Sequence, residues 1–266
     1  MYIATRYGSK SHESDFGIVK QNLALELQDV SLRYYSESSR RSLKGLLINR
    51  AKRIESRKKI PFELSDFNLQ IMRGELVGIV GRNGSGKSTL LRIISGVFSP
   101  NSGQVIRHGQ IAPIIDIGTG MHPDLTCRQN IYLSNSYFGR SRSETDKYFE
   151  DIVNWSQIGE FLDEPFHSLS TGTQTRLAFA IATSQTPDLL LVDEVMSVGD
   201  LQFQDRSKKR IAGIVDNGAA LLVVSHDLDY LQRTVSRMLW IEKGKLKMDG
   251  STEKVLSQYR RSFVSD

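Results

Sequence analysis

An eight-residue run, Gly81-Arg82-Asn83-Gly84-Ser85-Gly86-Lys87-Ser88, constrains this chain more than any other feature. It fits the phosphate-cradling pattern G-x-x-x-x-G-K-[ST], and its context fits as well. A β-like apolar run, Leu76-Val77-Gly78-Ile79-Val80, precedes it, and a helical pattern through Leu90, Leu91, Ile93 and Ile94 follows. Strand, glycine loop and helix in that order dictate an α/β fold with a buried parallel strand feeding the loop. The glycines let backbone N–H groups close around phosphate oxygens, at a helix N-terminus that already favours anions. In such a loop Lys87 reaches the β- and γ-phosphates of a nucleotide, and the Ser88 hydroxyl can ligate Mg²⁺.

Further segments follow at workable spacing. Leu189-Leu190-Leu191-Val192-Asp193-Glu194 is an apolar run of buried-strand type ending in two carboxylates. Such a pair is often a helix cap. After a phosphate loop, Asp193 is expected to hold the Mg²⁺ shell and Glu194 to face the attacking water as general base. Leu169-Ser170-Thr171-Gly172-Thr173 opens another helical pattern, and a Ser-x-Gly turn there offers N–H groups and a hydroxyl to an anion. In isolation it would be an ordinary N-cap. His226, in Ser225-His226-Asp227, follows the apolar strand Leu221–Val224, where a histidine can contact a γ-phosphate or a water.

With these four motifs in order, and a fifth at Ser197–Asp200, the chain resembles the nucleotide-binding subunit of an ABC transporter over roughly residues 24–258. Gly81–Thr89 is similar to its Walker A motif, which adds Thr89 to the loop's ligands. Leu169–Thr173 is similar to its signature motif, Leu189–Glu194 to Walker B with the catalytic glutamate, and Ser197-Val198-Gly199-Asp200 to its D-loop, with Asp200 at the nucleotide interface. His226 stands at the switch histidine. Tyr34, or its neighbour Tyr35, stands where an aromatic stacks on adenine. The resemblance implies ATP and Mg²⁺ as cofactors.

The resemblance narrows at Ile111–Thr126, at Ser170-Thr171-Gly172 in place of Ser-Gly-Gly, and at Asp193–Asp200. These look like the branch that exports O-antigen, capsule and teichoic acid glycans, and most like an O-antigen exporter ATPase. Two departures stand out. Asp116 falls where the family places a glutamine that links Mg²⁺ to the membrane subunit, which makes Asp116 a third candidate metal ligand. The signature carries Thr171 for a glycine and Thr173 for a glutamine, which keeps the N–H groups and adds two hydroxyls.

Composition sets outer limits. Of 266 residues 39% are hydrophobic, enough for one α/β domain with a helical subdomain. A lone cysteine, Cys127, excludes an intramolecular disulfide. Residues 1–22 lack the apolar core of a signal peptide, and no apolar stretch approaches the roughly 18 residues that span a bilayer. A transporter ATPase of this kind therefore needs separate membrane subunits. The net charge of +5 is local: Arg40–Lys59 holds nine basic residues and one acid, so the remainder sums to −3. Leu43, Leu46, Leu47, Ala51 and Ile54 recur there at helical spacing, a basic amphipathic pattern. It can lie on anionic lipid or under the membrane subunit, bind nucleic acid, or be a solvated insertion, and the basic–apolar pattern favours the membrane side. Members of the polysaccharide-exporter branch carry an insertion here.

The expected organisation is a mixed-sheet P-loop ABC ATPase with an antiparallel β subdomain and a helical subdomain. Residues 1–22 form a flexible leader, 23–259 the ATPase domain with the basic insertion at 40–59 and the helical part at about 128–186, and 260–266 a tail. Leu25–Tyr34 and Phe62–Ile71 alternate and predict an antiparallel pair, and Leu239–Glu242 with Lys245–Asp249 a hairpin about Gly244. Asn101-Ser102-Gly103 predicts a turn, and Trp155 and Trp240 predict packing. The remaining 17 residues from Gly250 are expected to hold one closing helix and no glycan-recognition sandwich, which takes roughly 100 residues. The resemblance implies a homodimer with two integral membrane channel subunits, a lipid-linked polysaccharide substrate, membrane surface contact and the cytoplasmic face of the bacterial inner membrane, with no nucleic acid expected. Soluble ABC proteins of DNA repair or translation usually have two ATPase domains or long coiled coils, and this chain shows no sustained heptads. A regulatory ATP sensor without transport is the third reading.

Overall fold

The computed structural model describes residues 22–35, 61–115, 120–193 and 200–263. Two sheets organise it. Strands β1 (Leu23–Tyr35), β2 (Pro61–Met72) and β4 (Ser102–Arg107) form an antiparallel sheet in the order β2-β1-β4. Strands β3 (Leu76–Val80), β5 (Ile111–Ile114), β6 (Leu189–Val192), β7 (Ala220–Val224), β8 (Arg237–Glu242) and β9 (Lys245–Ser251) form the second, in the order β5-β6-β7-β3-β8-β9. The first five of that order run parallel, and β9 is antiparallel to β8. Every residue of β6 and β7 is buried, which their unbroken apolar sequences required.

Helix α1 (Lys87–Ser95) follows β3 and buries Leu90, Leu91, Ile93 and Ile94 completely. Each such side chain contributes about 1.5–3 kcal/mol relative to exposure. These residues join Leu25, Phe67, Ile71, Ile79, Leu191 and Leu222 in a core held between the two sheets. On the opposite face of the parallel sheet lies a second core, covered by helices α5 (Leu201–Asp216), α6 (Leu228–Thr234) and α7 (Thr252–Arg261).

A third core belongs to α2 (Cys127–Tyr137), α3 (Arg142–Ser156) and α4 (Thr171–Ala182). Capping boxes open the first two: Thr126 with Gln129, and Ser141 with Glu144. Helix α4 serves two cores at once. Leu177, Ala180 and Ile181 pack into the helical cluster, and Phe179 and Ala182 into the sheet's second face. Trp155 reinforces that junction, stacking on Phe179 at 4.9 Å with Arg206 and Arg210 over its ring at 4.9 and 5.3 Å. Arg140 bridges the same region: its Nη1 donates to Asn135 Oδ1, Ile181 O and Ser184 Oγ at 2.8, 3.1 and 3.0 Å. Burial pulls its guanidinium down to about 10. No described helix is long and apolar enough to cross a membrane.

One local expectation changes. The turn predicted at Asn101–Gly103 is the start of β4, because Ser102 pairs with Ser31 of β1 and Asn101 Oδ1 accepts from the Arg33 N–H at 2.6 Å. Residues 111–114 form β5 despite Pro113. Being at the sheet's edge, it has no outer neighbour to which the missing N–H is owed. Residues 1–21 of the expected leader at 1–22, and the whole of the basic insertion at 40–59, lie outside the described residues.

Candidate active site

The parallel sheet collects the motifs. Strand β3 runs between β7 and β8, and β6 between β5 and β7, all in one direction. Everything that follows these strands therefore leaves at one edge, the carboxyl edge where ligands of open α/β sheets bind. The phosphate loop follows β3, Asp193 follows β6, and Ser225-His226 follows β7. The Asp193 N–H donates to Ile114 O at 3.1 Å, so the segment after β5 and the carboxylate after β6 start side by side. Tyr34 lies at the end of β1, paired with Phe62 of β2.

The loop's sequence explains its shape. Gly81 is buried, and a side chain there would overlap the Ile241 carbonyl and lie 2.6 Å from Ser85 Oγ. Gly84 and Gly86 adopt φ of 77° and 114°, left-handed values that side chains resist. Arg82, Asn83 and Gly84 are exposed, Ser85, Gly86, Lys87 and Thr89 buried, and Ser88 half-buried. Lys87 is only 7% exposed, and its ammonium donates to Gly81 O at 2.8 Å and Arg82 O at 3.3 Å, which draws the loop into a ring about one positive charge. Ser85 Oγ is buried with no hydrogen-bond partner. Helix α1 begins at Gly86 without a side-chain cap, so its first turn presents N–H groups and a positive dipole end to the loop. An orphaned buried hydroxyl, a buried cation and an uncapped helix start form a cradle that fits a phosphate.

A tie that the sequence did not announce holds this loop from behind. Lys243 and Gly244, at φ of 49° and 76°, make the two-residue turn between β8 and β9. The Gly244 N–H donates to Ser85 O at 2.8 Å, and the Ser65 N–H of β2 donates to Gly244 O at 3.1 Å. The hairpin tip thereby links the phosphate loop to the antiparallel sheet. The available signal was a glycine between two positions of a predicted hairpin, which says turn but not what the turn touches.

The signature segment stands at the start of α4. Ser170, Thr171 and Gly172 are exposed. Ser170 caps the helix, its Oγ accepting from the Thr173 N–H at 3.2 Å. Thr173 departs from its expected part as an anion-facing N–H: that N–H goes to the Ser170 cap, and the side chain is buried, 8% exposed. Asp200 likewise caps its own helix, α5, accepting from the Phe203 N–H at 2.7 Å. His226 is exposed beside Asp227, which caps α6. Asp116, Glu194 and the D-loop residues 197–199 lie outside the described residues.

The ABC transporter family's sequence profile matches residues 64–197. This chain belongs to the ABC transporter family. It is an ATP-binding, ATP-hydrolysing subunit of that family. Among curated relatives, an O-antigen export system ATP-binding protein of Klebsiella pneumoniae is 38% identical over 79% of this chain and 85% of its own length. Another, of Myxococcus xanthus, is 38% identical over 75% of this chain but only 46% of its own length. A teichoic acids export ATP-binding protein of Levilactobacillus brevis is 40% identical over 77% and 57%. Among solved structures, the ATP binding subunit of an ABC transporter superposes with a TM-score of 0.69 at 20% identity, covering 89% of this chain and 93% of that one. A post-hydrolysis ATP-binding cassette bound to ADP and Pi gives 0.64 at 22%, covering 86% and 98%. The ABC fold therefore stands on both sequence and structure.

Donor chemistry bears on the metal. Among the described residues no group of three or more His, Cys, Asp or Glu gathers to hold one. Mg²⁺ takes one or two protein oxygens together with substrate phosphates and waters. Ser88 and Asp193, one hydroxyl and one carboxylate at the same edge of the sheet, suit that role.

Proposed function

We propose that this ABC ATPase powers export of a lipid-linked polysaccharide, of O-antigen or teichoic acid type, from the cytoplasmic face of the inner membrane. Support comes from the relatives named for these exports, matched over three quarters of the chain. Two copies assemble head to tail, the phosphate loop of each facing the signature segment of the other, beneath two membrane channel subunits.

In the nucleotide site, the N–H groups of the loop and Lys87 bind the β- and γ-phosphates of ATP. Tyr34 stacks on adenine. Ser88 and Asp193 would hold Mg²⁺, with Asp116 as a further ligand, and the ion would supply neutralisation of the charge on the phosphate oxygens. Glu194 takes a proton from water as its oxygen attacks the γ-phosphorus and the bond to ADP breaks. His226 steadies the γ-phosphate or that water. Ser170 and the N–H groups near Gly172 approach the phosphate from the other subunit, with Asp200 at the same interface. The basic segment 40–59 faces the membrane side.

The observation that carries the ATPase chemistry is the loop built around Lys87, closed by its bonds to Gly81 and Arg82. The test joins the chemistry to the cargo. The tagged chain, purified from solubilised membranes, should bring down integral membrane subunits and not ribosomes or DNA. Deleting its gene should remove surface polysaccharide, and the wild-type chain should restore it where Lys87→Ala, unable to hold nucleotide, does not. Restoration by Lys87→Ala would refute an ATP-driven role, and copurification with ribosomes would refute export.

A further inference from the structure

The signature segment contains a hydrogen-bond chain that the motif does not require. Arg176 Nη2 donates to Thr173 Oγ1 at 3.1 Å, and Thr173 Oγ1 lies 2.9 Å from Ser170 Oγ. Ser170 Oγ also accepts from the Thr173 N–H at 3.2 Å. Ser170 is exposed, whereas Thr173 is buried beneath it and Arg176 is half-buried. No carboxylate pairs with Arg176 among the described residues, and its Nε is buried without a partner. Its guanidinium is therefore directed at Thr173.

Hydroxyl valence decides what this chain can do. Each hydroxyl has one hydrogen to donate and two lone pairs to accept with. If the Thr173 hydroxyl donates to Ser170, both lone pairs of Ser170 Oγ are filled, one by that hydroxyl and one by the Thr173 N–H. The Ser170 hydrogen is then the only hydrogen-bonding capacity left on the group, and it can only point outward. The arginine favours this direction: a cation donating to an oxygen makes that oxygen's own O–H a better donor, and successive bonds polarise one another. An anion arriving at Ser170 draws the same arrangement.

We propose that Thr173 and Arg176 are positioning residues that make the Ser170 hydroxyl an outward-facing donor, poised for a phosphate oxygen presented by a second copy of the chain. The inference rests on the reading of Ser170 as a phosphate contact. It assigns the threonine at position 173 a task that a glutamine's amide would meet differently: the short side chain keeps the relay inside the first turn of α4, under the cap.

The test uses the full chain. Thr173→Val and Thr173→Ala remove the hydroxyl, Thr173→Ser keeps it, and Ser170→Ala removes the proposed contact. The first two should lower kcat and weaken ATP-induced self-association in sedimentation by about tenfold, the weight of one charge-assisted hydrogen bond. Binding of ATP to the isolated monomer, governed by the phosphate loop, should hold, whereas the melting temperature without nucleotide should fall by a few degrees because Arg176 loses its acceptor. Thr173→Ser should recover most of both losses. Wild-type kcat and self-association in Thr173→Val and Thr173→Ala would overturn the relay, as would equal losses in Thr173→Ser, which would assign the effect to the methyl group. Ser170→Ala separates the two levels. Its failure to alter turnover or self-association would overturn the reading of Ser170 itself and the relay with it, whereas a defect there with intact Thr173→Val would overturn the relay alone.

Discussion

Replacing Gly244 by alanine should damage the phosphate loop from a distant part of the chain, without changing any residue of the nucleotide motifs.

 The glycine sits at the tip of the β8–β9 hairpin, far along the chain from the loop it supports, and acts through two backbone bonds, to Ser85 O and from the Ser65 N–H. At φ of 76°, an alanine costs about 1–2 kcal/mol for the left-handed backbone alone. Its Cβ would also overlap the Glu63 carbonyl of β2, a backbone atom that cannot swing aside. The turn must then shift, which weakens both hydrogen bonds at about 0.5–1.5 kcal/mol each. The total is about 2–5 kcal/mol. Gly218 supplies the control, because its φ is 93° and an added Cβ meets nothing within 4 Å. Gly218→Ala should therefore show the torsional cost by itself, about 1–2 kcal/mol. Urea unfolding of both variants gives the two stabilities, and titration with ATP gives the two affinities. Gly244→Ala should be the less stable and should bind ATP more weakly, since Ser85 loses its tether, whereas Gly218→Ala should bind ATP as the wild type does. Equal destabilisation of the two variants, or unchanged ATP affinity in Gly244→Ala, would refute the argument that the hairpin tip holds the loop.

Two further outcomes follow from the proposed chemistry. Glu194→Gln should bind ATP yet hydrolyse it about 10²–10⁴-fold more slowly, because the water loses its base, and ATP-bound dimers should accumulate in sedimentation; wild-type turnover would remove Glu194 from that role. Replacing Arg40–Lys59 with a neutral linker should leave the isolated subunit's ATPase activity within a few-fold and reduce polysaccharide export in cells, since its +8 charge is local and no nucleotide motif lies within it. Unchanged export with collapsed ATP affinity would assign the segment to the nucleotide site instead.

The strands that feed the site were legible because their physics is local. Leu76–Val80, Leu189–Val192 and Leu221–Val224 are short apolar runs, and a strand covered on both faces needs nothing else. The β1–β2 pair was legible from alternation, although the structure interrupts it with a register shift between Leu27 and Val30, where Asp29 takes φ of 49°. Strand β4 was not legible: Ser-Gly-Gln-Val-Ile-Arg carries little alternation, and Gly103 is needed because a side chain would overlap the carbonyls of Gln28 and Asp29. That requirement comes from β1, some 75 residues earlier, and no window around β4 contains it. The same divide runs through the site. Lys87 was legible as a motif residue, but the pairing of Thr173 with Arg176 was not, since an N-terminal helical turn allows several hydroxyl partners and only packing selects one.

Helix capping shows how the two halves of the proposed site differ. Helices α2 to α6 each begin under a side chain that accepts from the first turn: Thr126, Ser141, Ser170, Asp200 and Asp227. Helix α7 has no such cap, but the Thr252 N–H donates to Ser236 O at 3.2 Å and its hydroxyl to Val235 O at 2.7 Å. Helix α1 begins at a glycine, which has no side chain to offer. A phosphate bound in the loop supplies the acceptor that the sequence withholds, so nucleotide binding there is a capping event and stabilises the folded loop by mass action. At α4 the relation is reversed. In the proposed relay Ser170 satisfies its helix with its lone pairs and keeps its hydrogen for the ligand, so the cap would itself be the contact. In the proposed head-to-tail dimer, one subunit thus brings a helix that needs a phosphate to complete it, and the other a helix already complete, with one donor left over.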